Sequence, residues 1–224
     1  MCGRFTITSR REALADLLGV DAEDFADLVP RYNAAPGQRI PVVRRGSDGG
    51  REVAGLAWGL IPAWVKAGAT QASVGLVNAR AETAAEKPAF RDAVRLRRCL
   101  VPADGFIEWD TAAGKKQPHW FRLIGEEPFA FAGIWEPPAE RKVADTVAIL
   151  TVEAGADVRE FHDRMPAILH PGQFAAWLDG SLNAAELKPL SAGEIAHHPV
   201  SPKLNSPKCE SPVLLRPVPA SLFD

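Results

Sequence analysis

Arg98-Cys99-Leu100-Val101-Pro102-Ala103-Asp104-Gly105-Phe106-Ile107-Glu108-Trp109-Asp110 decides the fold. Large apolar and β-branched residues fill both halves, and Pro102-Ala103-Asp104-Gly105 in the middle is turn chemistry. The stretch predicts a strong strand from Cys99 to Asp110, interrupted at Pro102–Gly105. Downstream, Ala112-Ala113-Gly114-Lys115 turns the chain back, and His119–Ile124, Phe129–Trp135 and Val147–Val152 continue a run of strands. Upstream, Arg39–Arg45 and Arg51–Ala57 flank the hairpin signal Ser47-Asp48-Gly49-Gly50, with Pro41 favouring an edge position. Cys2–Thr8 reads as a short strand, and Leu76–Arg80, His197–Ser201 and Val213–Val218 read as extended.

Helices are few. Ser9-Arg10-Arg11-Glu12 has capping-box spacing, Leu14, Leu17 and Leu18 share one face, and Gly19 stops the helix. A second helix is predicted over Thr83–Arg97, with a break near Pro88 and with Phe90 and Val94 facing the core; Arg91, Arg95, Arg97 and Arg98 around them form either a solvated face or a phosphate-binding patch. Asp157–Phe161, Pro171–Leu178 (closed by Gly180) and Asn183–Leu187 are short helical pieces. Pro30–Gly37 and Trp58–Trp64 read as loops. No repeat, low-complexity tract or long linker appears. The expected fold is α+β: a single domain over residues 1–224, with a curved, mainly antiparallel, barrel-like β-sheet flanked by a few helices.

A chain of 224 residues buries a substantial core. Its net charge of -2 provides no global basic field, so any nucleic acid must be held by a local patch. The three cysteines (Cys2, Cys99, Cys209) lack paired short spacing, which argues against a disulfide scaffold or a metal site and favours a reducing compartment. No run of about eighteen apolar residues or secretory pattern occurs. A cytoplasmic monomer is expected, or a nuclear one if the source is eukaryotic. No Gly-rich phosphate loop joins a strand to a helix, so no cofactor is expected.

Chemistry concentrates at Cys2. Once Met1 is removed, Cys2 carries a thiol and a free α-amine on adjacent carbons, a pair that captures an aldehyde as a five-membered thiazolidine. With an α-amine pKa of about 7.7–8.0, roughly one molecule in seven holds the neutral amine at pH 7. Glu108, among Phe106, Ile107 and Trp109, shares a strand face with Phe106; there it is either solvated, paired, or raised in pKa for proton transfer. His162 is either structural or, given its charged neighbours, suited to acid–base work. Asn78 and Arg80 share a face if extended, as Arg4 does with Cys2, and a guanidinium there holds either a phosphate or a surface carboxylate. Cys99 beside Leu100 and Val101 reads as a buried structural thiol. Trp58 and Trp64 fit either the core or base stacking.

Seven motifs in order are also found: Met1-Cys2-Gly3-Arg4-Phe5, Arg31–Pro36, Trp58–Pro62, Asn78–Thr83, Arg98–Trp109, His162–Pro166 and His198–Ser201. In these the chain resembles the SRAP family, the SOS-response-associated peptidase-like proteins, over essentially its whole length. The resemblance implies binding to abasic sites in single-stranded DNA, including single-strand/double-strand junctions. It also implies a thiazolidine crosslink between Cys2 and the ring-opened sugar aldehyde, and self-processing of Met1. It implies Cys2, Asn78, Glu108 and His162 as active-site residues, Arg4, Arg80 and Arg164 on phosphates, and Asn33, Pro36, Trp64 and Thr151 along the DNA groove. Some relatives carry a second aromatic where this chain has Val65. Two other readings use fewer of the motifs: an N-terminal-nucleophile cysteine amidohydrolase and a non-covalent single-strand-binding module.

Overall fold

The computed structural model describes residues 2–65, 75–110, 116–137 and 144–218. Thirteen strands occur among them: β1 (Phe5–Ile7), β2 (Arg31–Ala34), β3 (Arg39–Arg45), β4 (Arg51–Trp58), β5 (Asn78–Arg80), β6 (Arg98–Ala103), β7 (Gly105–Asp110), β8 (Gln117–Leu123), β9 (Phe129–Glu136), β10 (Thr146–Glu153), β11 (Arg164–Pro166), β12 (Ile168–Leu169) and β13 (Ile195–Pro199). The α-helices are α1 (Arg11–Leu18), α2 (Ala81–Ala84), α3 (Arg91–Leu96), α4 (Ala156–Arg159) and α5 (Phe174–Asp179).

The break in the opening stretch carries the chain from one sheet to another. β6 lies between β3 and β9 in a larger sheet, whereas β7 lies between β1 and β8 in a smaller one ordered β13-β8-β7-β1-β2. Pairing of β9 with β10 closes β10, β4, β3, β6 and β9 into a ring. Most pairings are antiparallel; β10 runs parallel to β4 and β5. This is the mixed α+β, mainly antiparallel, curved architecture expected from the sequence. Gly133 lets β6 approach β9 closely: a Cβ there would lie 2.7 Å from the Cys99 sulfur and 2.9 Å from a Val101 methyl. Cys99 is fully buried at this contact, as its apolar neighbours predict.

Asp104, at the break, ties the N-terminal segment to both sheets. Its carboxylate accepts from the Thr6 hydroxyl (2.5 Å), the Thr8 amide and hydroxyl (2.9 Å), and the Ser9 amide (2.7 Å) and hydroxyl (3.1 Å). Ser9 is therefore drawn away from the expected capping box, and α1 starts after Arg10 with no side-chain cap. Gly19 ends α1 with φ 63°, as predicted. Asp104→Ala orphans two backbone N–H groups as well as the hydroxyls. It is expected to cost about 3 kcal/mol and about 6–12 °C in melting temperature, read by thermal denaturation.

Other differences have local causes. The Cys2–Thr8 strand shortens to β1, because Cys2–Arg4 leave the ladder. Pro30–Gly37 contains β2, recruited by pairing with β1. β3 is interior in sheet order, yet β6 pairs only with its Val43 and Arg44, so Pro41 meets no β6 partner. The helix predicted over Thr83–Arg97 divides around Pro88 into α2 and α3, with Val94 buried and Phe90 packed on the core. Val213–Val218 is extended only in part: Pro212–Leu215 forms a 3-10 turn, and the backbone becomes extended at Arg216. The turn at Ala112–Lys115 lies outside the described residues. Phe5, Trp58, Phe106, Phe121 and Phe131 interlock between the sheets through edge and stacked ring contacts 5.0–6.5 Å apart. The N-terminus is seated on this rigid aromatic core.

Candidate active site at the N-terminus

β1 anchors Phe5 opposite Phe106 of β7 and Ala34 of β2, so the residues just before it run beside both strands. The Arg4 carbonyl accepts from the Ile107 amide (3.0 Å) and from the Cys2 thiol (3.7 Å). Cys2 is fully buried. From β5, held by β10, the Asn78 amide donates to the Cys2 carbonyl at 2.8 Å. The Asn78 Oδ1 is buried and has no partner among the described residues.

Glu108 follows on β7 and is buried. Burial pushes its carboxyl up from the usual range. Burial also pushes the Cys2 thiol up, and the Glu108 charge adds to this. His162 follows α4. Its Nδ1 accepts from the Arg164 amide at 2.8 Å, which assigns the remaining proton of a neutral ring to Nε2. The exposed Asp163 carboxylate, 2.7 Å from the same Nδ1, competes for it when the ring is protonated. Burial first, then nearby positive charge, pushes the His162 imidazole below its ordinary value. At neutral pH the ring is therefore uncharged, with its proton on Nε2.

Two depressions flank Cys2. One, of about 620 Å³, contains Gly3, Arg4, Pro36, Glu108, Trp109 and His162 in its wall. The other, of about 530 Å³, contains Trp64, Asn78, Arg80 and Thr151. Trp64 is 69% exposed, and Arg80 is also exposed. The structure thus brings Cys2, Asn78, Glu108 and His162 together, with Arg4 and Pro36 on one side and Trp64 and Arg80 on the other.

Three residues expected to contact DNA, Asn33 and Thr151 along the groove and Arg164 on a phosphate, are engaged inward. Asn33 is fully buried: its amide donates to the carbonyls of Ser206 (2.9 Å), Cys209 (3.1 Å) and Leu204 (3.4 Å), and its oxygen accepts from Arg4 at 3.3 Å. Its link to the groove runs through Arg4, whose guanidinium also donates to the Leu204 carbonyl (2.8 Å) and lies 5.9 Å from the Trp109 ring. Asn33→Ala is expected to cost about 1–3 kcal/mol and to speed proteolysis near Ser206, read by a cleavage time course. Thr151 is fully buried, its hydroxyl donating to the Ala79 carbonyl at 3.4 Å. Arg164 is 9% exposed, and both its terminal nitrogens bind the Glu82 carboxylate, at 2.8 and 2.9 Å. Sequence reasoning gave Glu82 no role, although it lies in the Asn78–Thr83 motif. Its pairing with a residue 82 positions away leaves no local signal.

The model of the SOS response associated peptidase (SRAP) family matches residues 1–207. The chain belongs to the SRAP family. This SRAP chain is 36% identical to the abasic site processing protein YoqW of Bacillus subtilis, over 96% of this chain and 99% of that one. It is 30% identical to the abasic site processing protein YedK of Escherichia coli, over 97% and 100% of the two chains. With the abasic site processing protein HMCES of Gallus gallus it shares 32% identity, over 84% of this chain and 66% of the other. A crystal structure of a Bacteroides thetaiotaomicron protein superposes with a TM-score of 0.80 at 26% identity, covering 97% of this SRAP chain and all of the other.

Proposed function

We propose that this protein processes abasic sites in single-stranded DNA, including those at single-strand/double-strand junctions, by joining Cys2 covalently to the ring-opened deoxyribose. One observation carries the reading: Asn78 grips the Cys2 carbonyl at 2.8 Å, and buried Glu108 and half-buried His162 line the depression formed with Gly3 and Arg4, the residues that follow Cys2. The names of the SRAP relatives support the substrate class.

The chemistry follows from those groups. Removal of Met1, by this chain or by an aminopeptidase, frees the Cys2 amine. His162, whose proton sits on Nε2, donates it to the ring oxygen as the C1′–O4′ bond breaks, and water takes the hemiacetal hydroxyl proton and returns one to Nε2, so the sugar opens to the C1′ aldehyde and a 4′-hydroxyl. The amine nitrogen adds to C1′ and gives a carbinolamine. Its hydroxyl leaves as water with a proton from Glu108, whose raised pKa keeps that proton available nearer neutrality than an ordinary carboxyl does. The Cys2 sulfur then adds to the iminium carbon, and its thiol proton returns to the Glu108 carboxylate, leaving the ring nitrogen as a neutral N–H. One water is lost overall and a thiazolidine ring remains. Until the imine forms, burial keeps the sulfur a thiol rather than a reactive thiolate.

Arg4 and Arg80 present positive charge on either side of Cys2 for the flanking phosphates, and Trp64 offers a face for a neighbouring base. So few contacts suit a short single-stranded site and predict a shallow salt dependence. The test is incubation with a single-stranded oligonucleotide carrying one abasic site, followed by denaturation and heating. A stable protein–DNA adduct with that oligonucleotide and none with undamaged DNA is expected. No adduct with the wild-type protein would overturn the reading.

A further inference from the structure

The Glu82 carboxylate occupies a position that an anionic ligand would favour. It forms a two-point pair with the Arg164 guanidinium, whose Nη2 also donates to the Thr151 carbonyl at 2.6 Å. The remaining Arg164 Nε–H is buried without a partner among the described residues. Exposed Arg80 lies two residues before Glu82, and its charge also acts on it. Partial burial pushes the Glu82 carboxyl up, but the Arg164 hydrogen bonds, with the Arg164 and Arg80 charges, overrule it and hold it below the ordinary value. Glu82 is therefore ionised at neutral pH. Its side chain remains 43% exposed, so the negative charge faces the solvent from which DNA arrives.

We infer that Glu82 is a specificity-determining residue: paired at two points with the Arg164 guanidinium and two residues along the chain from Arg80, it cancels the Arg164 charge and holds down non-covalent affinity for undamaged single-stranded DNA. This rests on the reading of the site as one for abasic DNA. Any phosphate backbone attracts two uncompensated arginines, damaged or not. With one of them neutralised, encounters with undamaged strands stay short. Lasting association then depends on the bond that only an aldehyde allows Cys2 to form.

The test is fluorescence anisotropy with an undamaged single-stranded oligonucleotide across a salt series, using Glu82→Gln, Arg164→Gln and the double variant. Glu82→Gln is expected to bind about fivefold more tightly at low salt. Its plot of log affinity against log salt should steepen by about 0.7. Arg164→Gln should move both quantities the other way, and the double variant should return to the wild-type values. Unchanged or weaker binding by folded Glu82→Gln would overturn the inference. Loss of its cooperative melting would do the same, marking the pair as a structural bridge. Adduct formation on abasic DNA is scored separately. Wild type without an adduct, beside a Glu82→Gln salt slope that still steepens, would reject the covalent reading and leave the electrostatic role of Glu82 standing.

Discussion

Cys2→Ala is expected to abolish the heat-stable adduct with abasic single-stranded DNA while leaving the fold and non-covalent DNA binding in place. The substitution removes one buried sulfur and no hydrogen bond stronger than the 3.7 Å thiol contact. Its stability cost is about 1 kcal/mol, on the scale of a single deleted core group. The Asn78 contact goes to the backbone carbonyl and survives. Without sulfur the amine still forms an imine, but the ring cannot close, and an imine hydrolyses on heating. Cys2→Ala is thus predicted to yield an adduct only when borohydride is added to reduce the imine. Gel mobility with and without the reductant reads this directly, and an untrapped stable adduct from Cys2→Ala would place the chemistry elsewhere.

The second large effect is expected at Glu108. Glu108→Gln keeps the shape and removes the transferable proton, so crosslinking should slow by about 10²–10⁴-fold, the usual contribution of a positioned acid or base. Stability should move the opposite way. The folded-state pKa of Glu108 is raised, so folding disfavours its ionised form. Its contribution to stability is full below the unfolded carboxyl pKa and is lost as pH rises through the folded value. Glutamine has no charge to lose. The variant is therefore expected to melt higher than wild type near pH 7, with the gap closing as the pH falls below about 4. A Glu108→Gln protein that melts lower at pH 7 would identify a structural carboxylate.

Local chemistry in the sequence reached far into this fold. Pro102 to Gly105 marks the point where β6 hands over to β7, and Gly19 and Gly180 end their helices with positive φ. The hairpin of β3 and β4 follows its turn signal. What could not be read locally depends on partners distant in the chain. Ser9 has capping-box spacing, but Asp104, 95 positions later, takes its amide and hydroxyl. Closure of the ring through β9 and β10, and the parallel pairing of β5, are likewise set by tertiary packing. At the site, Cys2 and Glu108 were singled out by residue type and neighbours. The convergence of Asn78 and His162 on them entered through the motif resemblance. The inward engagement of Asn33 and Thr151 was hidden because an amide or hydroxyl in a motif carries no mark of which side of the backbone will need it.

Mass spectrometry of the N-terminal peptide released from the adduct tests the central claim most directly. The peptide is predicted to begin at Cys2, without Met1, and to carry the sugar with the mass of one water missing. Neither a free thiol nor a free α-amine should remain on Cys2. Modification of any other residue, or an adduct that retains Met1, would contradict the account.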